Sequence, residues 1–549
     1  MMVASIAERS TPARMLTTRP WEITGSEQRQ ARLALLGVLG IVAAVHVVAG
    51  LDRPINWDEA VHLTQVIPGR PAVFMEPHRT RGVSLLVAPI AVFDPSMMML
   101  RVYLLLASLA GLYASFAVWI RVAGVAVPLA ALLFSTYWVT VFYTVEVLPN
   151  VPSALLAVAI TGLVGRSYLA RGRRSDPLVV AVLFLLFALV RPPDAVLVGV
   201  GVALMSFAVA RVAAWRHLVP AAIGGATGIA VWFLEGWIRF GFVPVETLGS
   251  GAEYSLDGER MLQFPVYLAY LEDRLRCAGS CLDEFAAAGG WQLPPWRTSL
   301  YLLLVGLAIV SALVSGSGQR KLAGIAVAPA LLLIGFYGVA GGAANMRYLL
   351  PAGALLMIAA AIGVRSRWSA LPKQPRALRG ASWALGMVVL VALTVWQSGH
   401  GVERLSAEAG VRHRVHNVAS ELTASLDGRP CSIGSAVGYP QVQYWTGCHA
   451  TAIVRGADGT VQAPLGERGS YRDLAAAAAR GEQVLALIRK DPPSAAPVAA
   501  WARVHGDALA AEGLELRIWE EGDPLPPPPC PDALGGADRR LAEVLSTRC

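Results

Sequence analysis

Charge is what this chain most lacks. Charged side chains make up 15% of its 549 residues, where a soluble globular protein carries roughly 25%. Long apolar runs account for the shortfall, and the mean hydropathy is +0.52. The sequence therefore describes a polytopic membrane protein. Lysine is scarce while Ala, Gly, Arg and Val dominate, the composition of a GC-rich bacterial genome. There is no Walker motif, no dinucleotide fingerprint and no His-Glu-x-x-His, so nucleotide-driven and zincin chemistry have no support. No internal repeat is present. No small-residue cleavage signal precedes the first apolar run, and residues 1–30 are expected to be a cytoplasmic tail rather than a signal peptide. The formal net charge of +8 would suit nucleic acid, but the placement of the cations argues for membrane orientation instead, and no nucleic-acid partner is expected.

A spanning helix needs about 20 mostly apolar residues. Eleven candidates meet or approach this, at about 31–50, 98–120, 125–143, 148–164, 177–190, 195–210, 219–237, 299–314, 322–339, 348–364 and 381–396. A further apolar run at 82–93 is too short to span and reads as re-entrant or interfacial. The joins at 166–174, 211–217, 320–321 and 365–379 are rich in Arg and Lys. With the N-terminus inside, all four fall on the cytoplasmic side, as the positive-inside rule requires. The expected fold is an all-α polytopic membrane domain over 31–397, with outer loops at about 51–97 and 238–298, followed by a small extracytoplasmic α/β domain over 398–549. In that second part a helical period over 406–426 precedes short apolar strands at 431–434, 484–488 and 514–518. These alternate with helical stretches at 471–480 and 496–511, and a Pro-rich segment lies at 525–531.

Cysteine is missing from every span and every basic join. Cys277, Cys281, Cys431, Cys448, Cys530 and Cys549 all lie in segments assigned outside, the compartment where disulfides form. Six cysteines allow fifteen pairings; the sequential one, Cys277–Cys281, Cys431–Cys448 and Cys530–Cys549, is the expectation.

Against this sparse background the ionisable residues collect at the outer boundary, where each is a candidate functional group. Asn56-Trp57-Asp58-Glu59-Ala60-Val61-His62 follows the first span directly. One carboxylate of the pair suits a general base that takes an acceptor's proton; a solvated acid capping the next helix is the plain alternative. Glu76-Pro77-His78-Arg79-Thr80-Arg81 follows. Its arginines suit a phosphate, which they bind bidentately; interfacial snorkelling is the alternative. Glu146 and Asn150 flank a hinge between two spans, where Glu146 could complete an acidic site with Asp58. Arg191-Pro192-Pro193-Asp194 forms another hinge, whose charges could simply pair with each other. Arg347, in Asn345-Met346-Arg347-Tyr348, is a cation on the side that disfavours cations, so a local anion is expected. The acidic residues of the large outer loop, Glu246 to Glu284 among them, read as a solvated face. Carboxylates followed by cations suggest group transfer from a lipid phosphate.

These features together resemble the C-type (GT-C) membrane glycosyltransferases, nearest the group of the protein O-mannosyltransferases and lipid A aminoarabinose transferases. An acidic pair just outside the first span, a short interfacial helix, about eleven spans and Arg347-Tyr348-Leu349-Leu350-Pro351 opening a late span carry the resemblance. It implies an inverting enzyme of the bacterial plasma membrane that moves a sugar from a polyprenyl-phosphate donor to a glycan, glycolipid or protein acceptor outside. By motif, Asp58 is implied as base and Glu59 as its acidic neighbour. His78, Arg79, Arg81, Arg347 and Tyr348 are implied at the donor phosphate, and His62, Glu146, Asn150, Arg191 and Asp194 at a second acidic or substrate site. A divalent cation, Mg or Mn, at Asp58 and Glu146 belongs to the same implication. The Pro-Pro that many members carry after the second motif is absent, and Asn150 stands where they often have Asp. A lipid-linked sugar transporter or flippase, or a non-catalytic envelope-assembly protein on a degenerate fold of this kind, are the alternatives. A transporter predicts charges in the middle of spans, and few are seen.

Overall fold

The computed structural model describes residues 23–169, 173–210, 214–241, 296–339, 345–370, 376–426, 428–435, 438–452, 454–455, 461–462, 474, 477–489, 502–504, 507–511 and 514–520. The pairs Cys277–Cys281 and Cys530–Cys549, nearly all of the 238–298 loop, half of the 471–480 stretch and most of the N-terminal tail lie outside the described residues.

Among the described residues the membrane part contains helices and no strand. In chain order it comprises α1 (Gly25–Ala49), α2 (Trp57–Leu63), α3 (Gly82–Ala91), α4 (Met97–Ala117), α5 (Ile120–Ala123), α6 (Ala126–Ser135), α7 (Trp138–Tyr143) and α8 (Asn150–Leu169). Then follow α9 (Asp176–Val190), α10 (Pro192–Ala210), α11 (Trp215–Phe240), α12 (Trp296–Leu313), α13 (Ser317–Val339), a 3₁₀ turn (Met346–Leu349), α14 (Leu350–Ala370) and α15 (Arg376–Ala424). Among the described residues eight helices are long and apolar enough to cross a membrane, with Gly82–Ala91, Ala126–Ser135 and Asp176–Val190 as shorter apolar helices. Leu33, Val48, Leu106, Leu178, Leu204, Ile223 and Val395 remain exposed around the bundle, as lipid-facing side chains must. Close crossings use small residues, as membrane helix pairs do. A Cβ on Gly224 or Gly228 of α11 would strike the α9 backbone, and one on Gly363 of α14 would strike Ala308 of α12.

One expected span, 125–143, is broken in two. Thr136 Oγ1 turns back to donate to Leu132 O at 2.7 Å, and Tyr137 is extended, with φ −60° and ψ 129°. Backbone freed at membrane depth must find partners within the protein. Gln397 of α15 supplies one, accepting from Trp138 N–H at 3.2 Å. His46 of α1 lies between the carbonyl oxygens of Val42 (2.8 Å) and Val141 (3.1 Å).

The last span is longer than expected. α15 is one helix of 49 residues, about 74 Å at 1.5 Å per residue. It joins the expected span at 381–396 to the expected helix at 406–426, so the expected boundary at 397–398 falls inside it. Beyond it, β1 (Cys431–Ser435), α16 (Tyr439–Thr446), β2 (His449–Ala452), β3 (Val454–Arg455), β4 (Val461–Gln462), β5 (Gln483–Arg489), β6 (Ala502–Val504), α17 (Asp507–Ala511) and β7 (Leu514–Ile518) form the α/β part. Its main sheet has the order β2-β1-β5-β7-β6. β1 pairs in parallel with β2 and β5, whereas β7 pairs antiparallel with β5 and β6. Part of the stretch read as helical, 496–511, is thus strand β6. Cys431 and Cys448 form the expected disulfide, bracketing α16.

Candidate active site

Residues 53–59, Arg79, Val145, Glu146, Arg191 and the 3₁₀ turn meet at one end of the bundle, and basic residues near the ends of α8 and α14 lie at the other. There Arg365 pairs with Glu27 at 2.8 Å and Arg166 pairs with Asp176.

α2 organises the site. Asn56 caps it: Oδ1 accepts from Glu59 N–H (2.8 Å), and Glu59 Oε2 accepts from Asn56 N–H (2.9 Å). This reciprocal capping box fixes where the helix starts. Glu59 to Leu63 are buried, leaving Trp57 and Asp58 as the two partly open side chains of the helix. The α/β part holds α2 from outside. Tyr439 of α16 meets Trp57 edge to face at 4.7 Å, Gln443 Nε2 donates to Pro71 O at 2.8 Å, and Arg70 donates to Tyr444 O while pairing with Asp94.

The two neighbouring carboxylates point into different surroundings. Asp58 keeps 15% of its side chain exposed and is gripped by two cations: Arg79 Nη2 lies 2.7 Å from Oδ1 and Arg347 Nη1 2.8 Å from Oδ2. Burial by itself would raise the Asp58 carboxyl, but Arg79 and Arg347 outweigh it and hold it far below the usual carboxylate range. Glu76 grips Arg79 at a second nitrogen, Nε. Arg347 sits against the Tyr348 ring, 5.4 Å from its centroid, and Arg191 lies over the same ring at 4.6 Å.

Glu59 is fully buried and far from solvent. Both oxygens face Arg101, and Oε1 also accepts from Val147 N–H at 2.8 Å. Glu146 belongs to this second cluster. Arg412 of α15 donates to both its oxygens at 3.0 Å, and Asn56 Nδ2 donates at 2.8 Å. Arg412 Nη1 also stands 3.5 Å from Glu59. Arg53, buried beside them, has no hydrogen-bond partner for its three side-chain nitrogens among the described residues. Three cations thus face two anions. Burial would raise Glu59, but Arg101 holds it down, toward about 2. Burial raises Glu146, against Arg412, and the neighbouring Glu59 adds to the rise.

The structure therefore separates residues that the sequence placed together. Asp58, Arg79, Arg347 and Tyr348 converge. Glu59 and Glu146 are buried in the cluster behind α2. Arg81 turns away, to Glu235 (2.6 Å) and Gln65 (2.6 Å). His78 is exposed beside Arg79. His62 is buried against Ser84, and burial together with Arg79 pushes its imidazole down to about 3, so it is neutral. Arg191 and Asp194 pair with each other at 3.5 Å, and Arg191 Nη1 donates to Asn150 Oδ1 at 3.1 Å. Tyr337 of α13 donates to Asp194 and stacks on Tyr348, with centroids 5.4 Å apart.

The residues do not fit the expected cation. Asp58 and Glu146 sit in separate clusters with arginines on their oxygens, and among the described residues no three His, Cys, Asp or Glu side chains gather to hold an ion. No step is derived through a metal. Arg101 and Arg412, which anchor the second cluster, were not singled out from the sequence. Arg101 had a usable signal: it lies inside the apolar run of α4, where an ionisable residue implies a partner.

No protein-family model matches the chain, and no curated protein matches it in a sequence search. Solved structures do. ArnT from Cupriavidus metallidurans bound to undecaprenyl phosphate aligns with TM-score 0.57 and 12% identity over 90% of this chain and 99% of its own. The apo form of the same protein gives 0.58 and 13%, over 88% and 97%. At such identity the likeness establishes the fold alone, which this chain shares with ArnT.

Proposed function

We propose that the protein is a membrane glycosyltransferase that moves a sugar from a polyprenyl-phosphate donor to an acceptor hydroxyl on the extracytoplasmic side of a bacterial plasma membrane. The observation that carries this reading is the convergence of Arg79 and Arg347 on Asp58 at the partly open end of α2, within a fold shared with a protein crystallised with undecaprenyl phosphate. The two arginines are suited to the donor phosphate, where planar guanidinium forks match phosphate oxygens. Asp58 is suited to accept the proton of the acceptor hydroxyl.

In this scheme the acceptor oxygen, losing its proton to Asp58, bonds to the anomeric carbon. The bond from that carbon to the phosphate oxygen breaks, and its electron pair leaves with the lipid phosphate. Attack opposite the leaving group inverts the configuration. Arg79 and Arg347 stabilise the charge that develops on the phosphate, a term that is large where water is excluded. Glu59, Arg101, Glu146 and Arg412 position α2. The α/β part, resting on α2 through α16, presents a glycan, glycolipid or protein acceptor.

The test is transfer of labelled sugar by purified protein from a panel of polyprenyl-phosphate monosaccharides (mannose, glucose, galactose, arabinofuranose), with and without EDTA. Wild-type protein should give a labelled product, and Asp58→Asn should lower the rate by at least about 10²-fold. Wild-type rates from a folded Asp58→Asn protein would sink the base assignment. Failure to bind or turn over any donor would sink the class.

A further inference from the structure

The site holds one pair of cations for two anions. Both oxygens of Asp58 are occupied, one by Arg79 and one by Arg347. A carboxylate held in this way is ionised but a poor base, because the two cations that keep it charged also oppose the arrival of a proton. Yet these are the cations placed to receive a lipid phosphate. We propose that the donor phosphate and Asp58 compete for Arg79 and Arg347, so that Asp58 is released to act as a base only when the phosphate has taken its place.

The geometry permits the exchange without a large movement. Glu76 and Asp58 approach Arg79 at different nitrogens, Nε and Nη2. Glu76 can therefore hold the guanidinium in place while Nη2 passes from one anion to another. Arg347 is held against the Tyr348 ring on a 3₁₀ turn whose start Asn345 caps, its Oδ1 accepting from Arg347 N–H at 3.1 Å. Its Nη1 can likewise change partner while the stem stays put. Asp58, Arg79 and Arg347 keep 15%, 17% and 24% side-chain exposure, so the group is open to an incoming anion. The buried cluster of Glu59 and Arg101 offers no such opening. Displaced from its cations, Asp58 regains free oxygens beside the phosphate and a rising proton affinity, because burial then acts unopposed. An empty site keeps its base quenched, and an occupied one unmasks it.

The proposal rests on the lipid-phosphate reading, and binding without turnover separates the two. The probe is undecaprenyl phosphate, with undecaprenol as the phosphate-free control, titrated into wild type, Asp58→Asn and Glu76→Gln. Asp58→Ser is carried alongside in case Asp58→Asn does not fold. Removal of the competitor should tighten undecaprenyl phosphate binding about tenfold or more, given the coupling measured for close desolvated charge pairs. Glu76→Gln removes the same charge from the same arginine but does not free Nη2, and should not tighten binding. Equal tightening in Asp58→Asn and Glu76→Gln would mean that only the overall field had changed, and would overturn the competition. Unchanged or weaker binding by the Asp58 variants, with wild type still binding, would overturn it while leaving the lipid-phosphate reading intact. No phosphate-dependent binding by any of the proteins would overturn both.

Discussion

Glu59→Gln should damage the fold and spare the chemistry, the reverse of what its neighbour Asp58 should show. The substitution keeps the shape and one acceptor oxygen for Val147 N–H, but loses the acceptor that faces Asn56 N–H. It also leaves Arg53, Arg101 and Arg412 facing Glu146 alone, in a cluster whose side chains are buried. Stripping one partner from a buried ion pair costs about 3–5 kcal/mol, because the remaining charge is stranded. That is a large part of a net stability of about 5–15 kcal/mol. At roughly 1–2 °C per kcal/mol for a chain this long, extrapolating the size scaling, the thermal midpoint in detergent should fall by about 3–10 °C. Adding Arg101→Met removes the stranded cation, so the double variant should lose about 2 kcal/mol less than the sum of the two single losses, a coupling typical of residues in one network. Activity per folded molecule should stay within about threefold of wild type, whereas Asp58→Asn should stay folded and lose about 10²-fold or more. The assay is a thermal-unfolding series with transfer rates measured on the folded fraction. A Glu59→Gln protein as stable as wild type, yet as inactive as Asp58→Asn, would refute the positioning role and put Glu59 at the reacting centre.

Three further outcomes are expected. Replacing Cys431 and Cys448 by Ser opens a loop of 17 residues and should cost about 3 kcal/mol on the chain-entropy account; reductant should lower the midpoint of wild type by more than it lowers that of the double variant. Gln397→Leu removes the acceptor of Trp138 N–H at the broken span and should lower the stability by about 1–3 kcal/mol, read as a fall in the thermal midpoint. The Asp58 carboxyl, which burial would raise but Arg79 and Arg347 hold down, and Glu59, held toward about 2 by Arg101 against its burial, are depressed in the folded state. Their stabilisation is therefore present above the ordinary carboxylate range and lost as pH falls below it. The midpoint should drop between about pH 5 and pH 3, with the upward shift of Glu146 offsetting part of the loss; a midpoint flat across that interval would contradict the ion pairs.

The fold was legible wherever burial in lipid leaves a long apolar run. The expected spans recur as helices because a bilayer admits no other single-chain solution for a continuous run. The break at Tyr137 was not legible. No Gly or Pro marks it, and what tolerates it is Gln397, far along the chain. The continuity of α15 was hidden because its sequence changes from apolar to polar near Ser398 without a change in helical period, and a change of solvent looks like a domain boundary. The strands β1, β5 and β7 could be read from their apolar runs; β6 could not, because Ala502 to Val504 sits in a sequence equally suited to helix. At the site, Asp58, Arg79 and Arg347 stood out as ionisable residues at an apolar boundary. Side-chain direction did not: Asp58 and Glu59 are neighbours in sequence, and only the capping box at Asn56 decides which faces the opening and which faces Arg101.

The unbroken α15 has a mechanical consequence. It carries Arg412 to Glu146 on the same unbroken helix that forms the last candidate span. One residue inserted between Trp396 and Arg412 would turn everything beyond it by about 100° and raise it by about 1.5 Å. Seven would restore the azimuth but lift the α/β part about 10 Å off α2. The rod is at once a ruler and a gear, and its length between bilayer and sheet tolerates substitution far better than insertion.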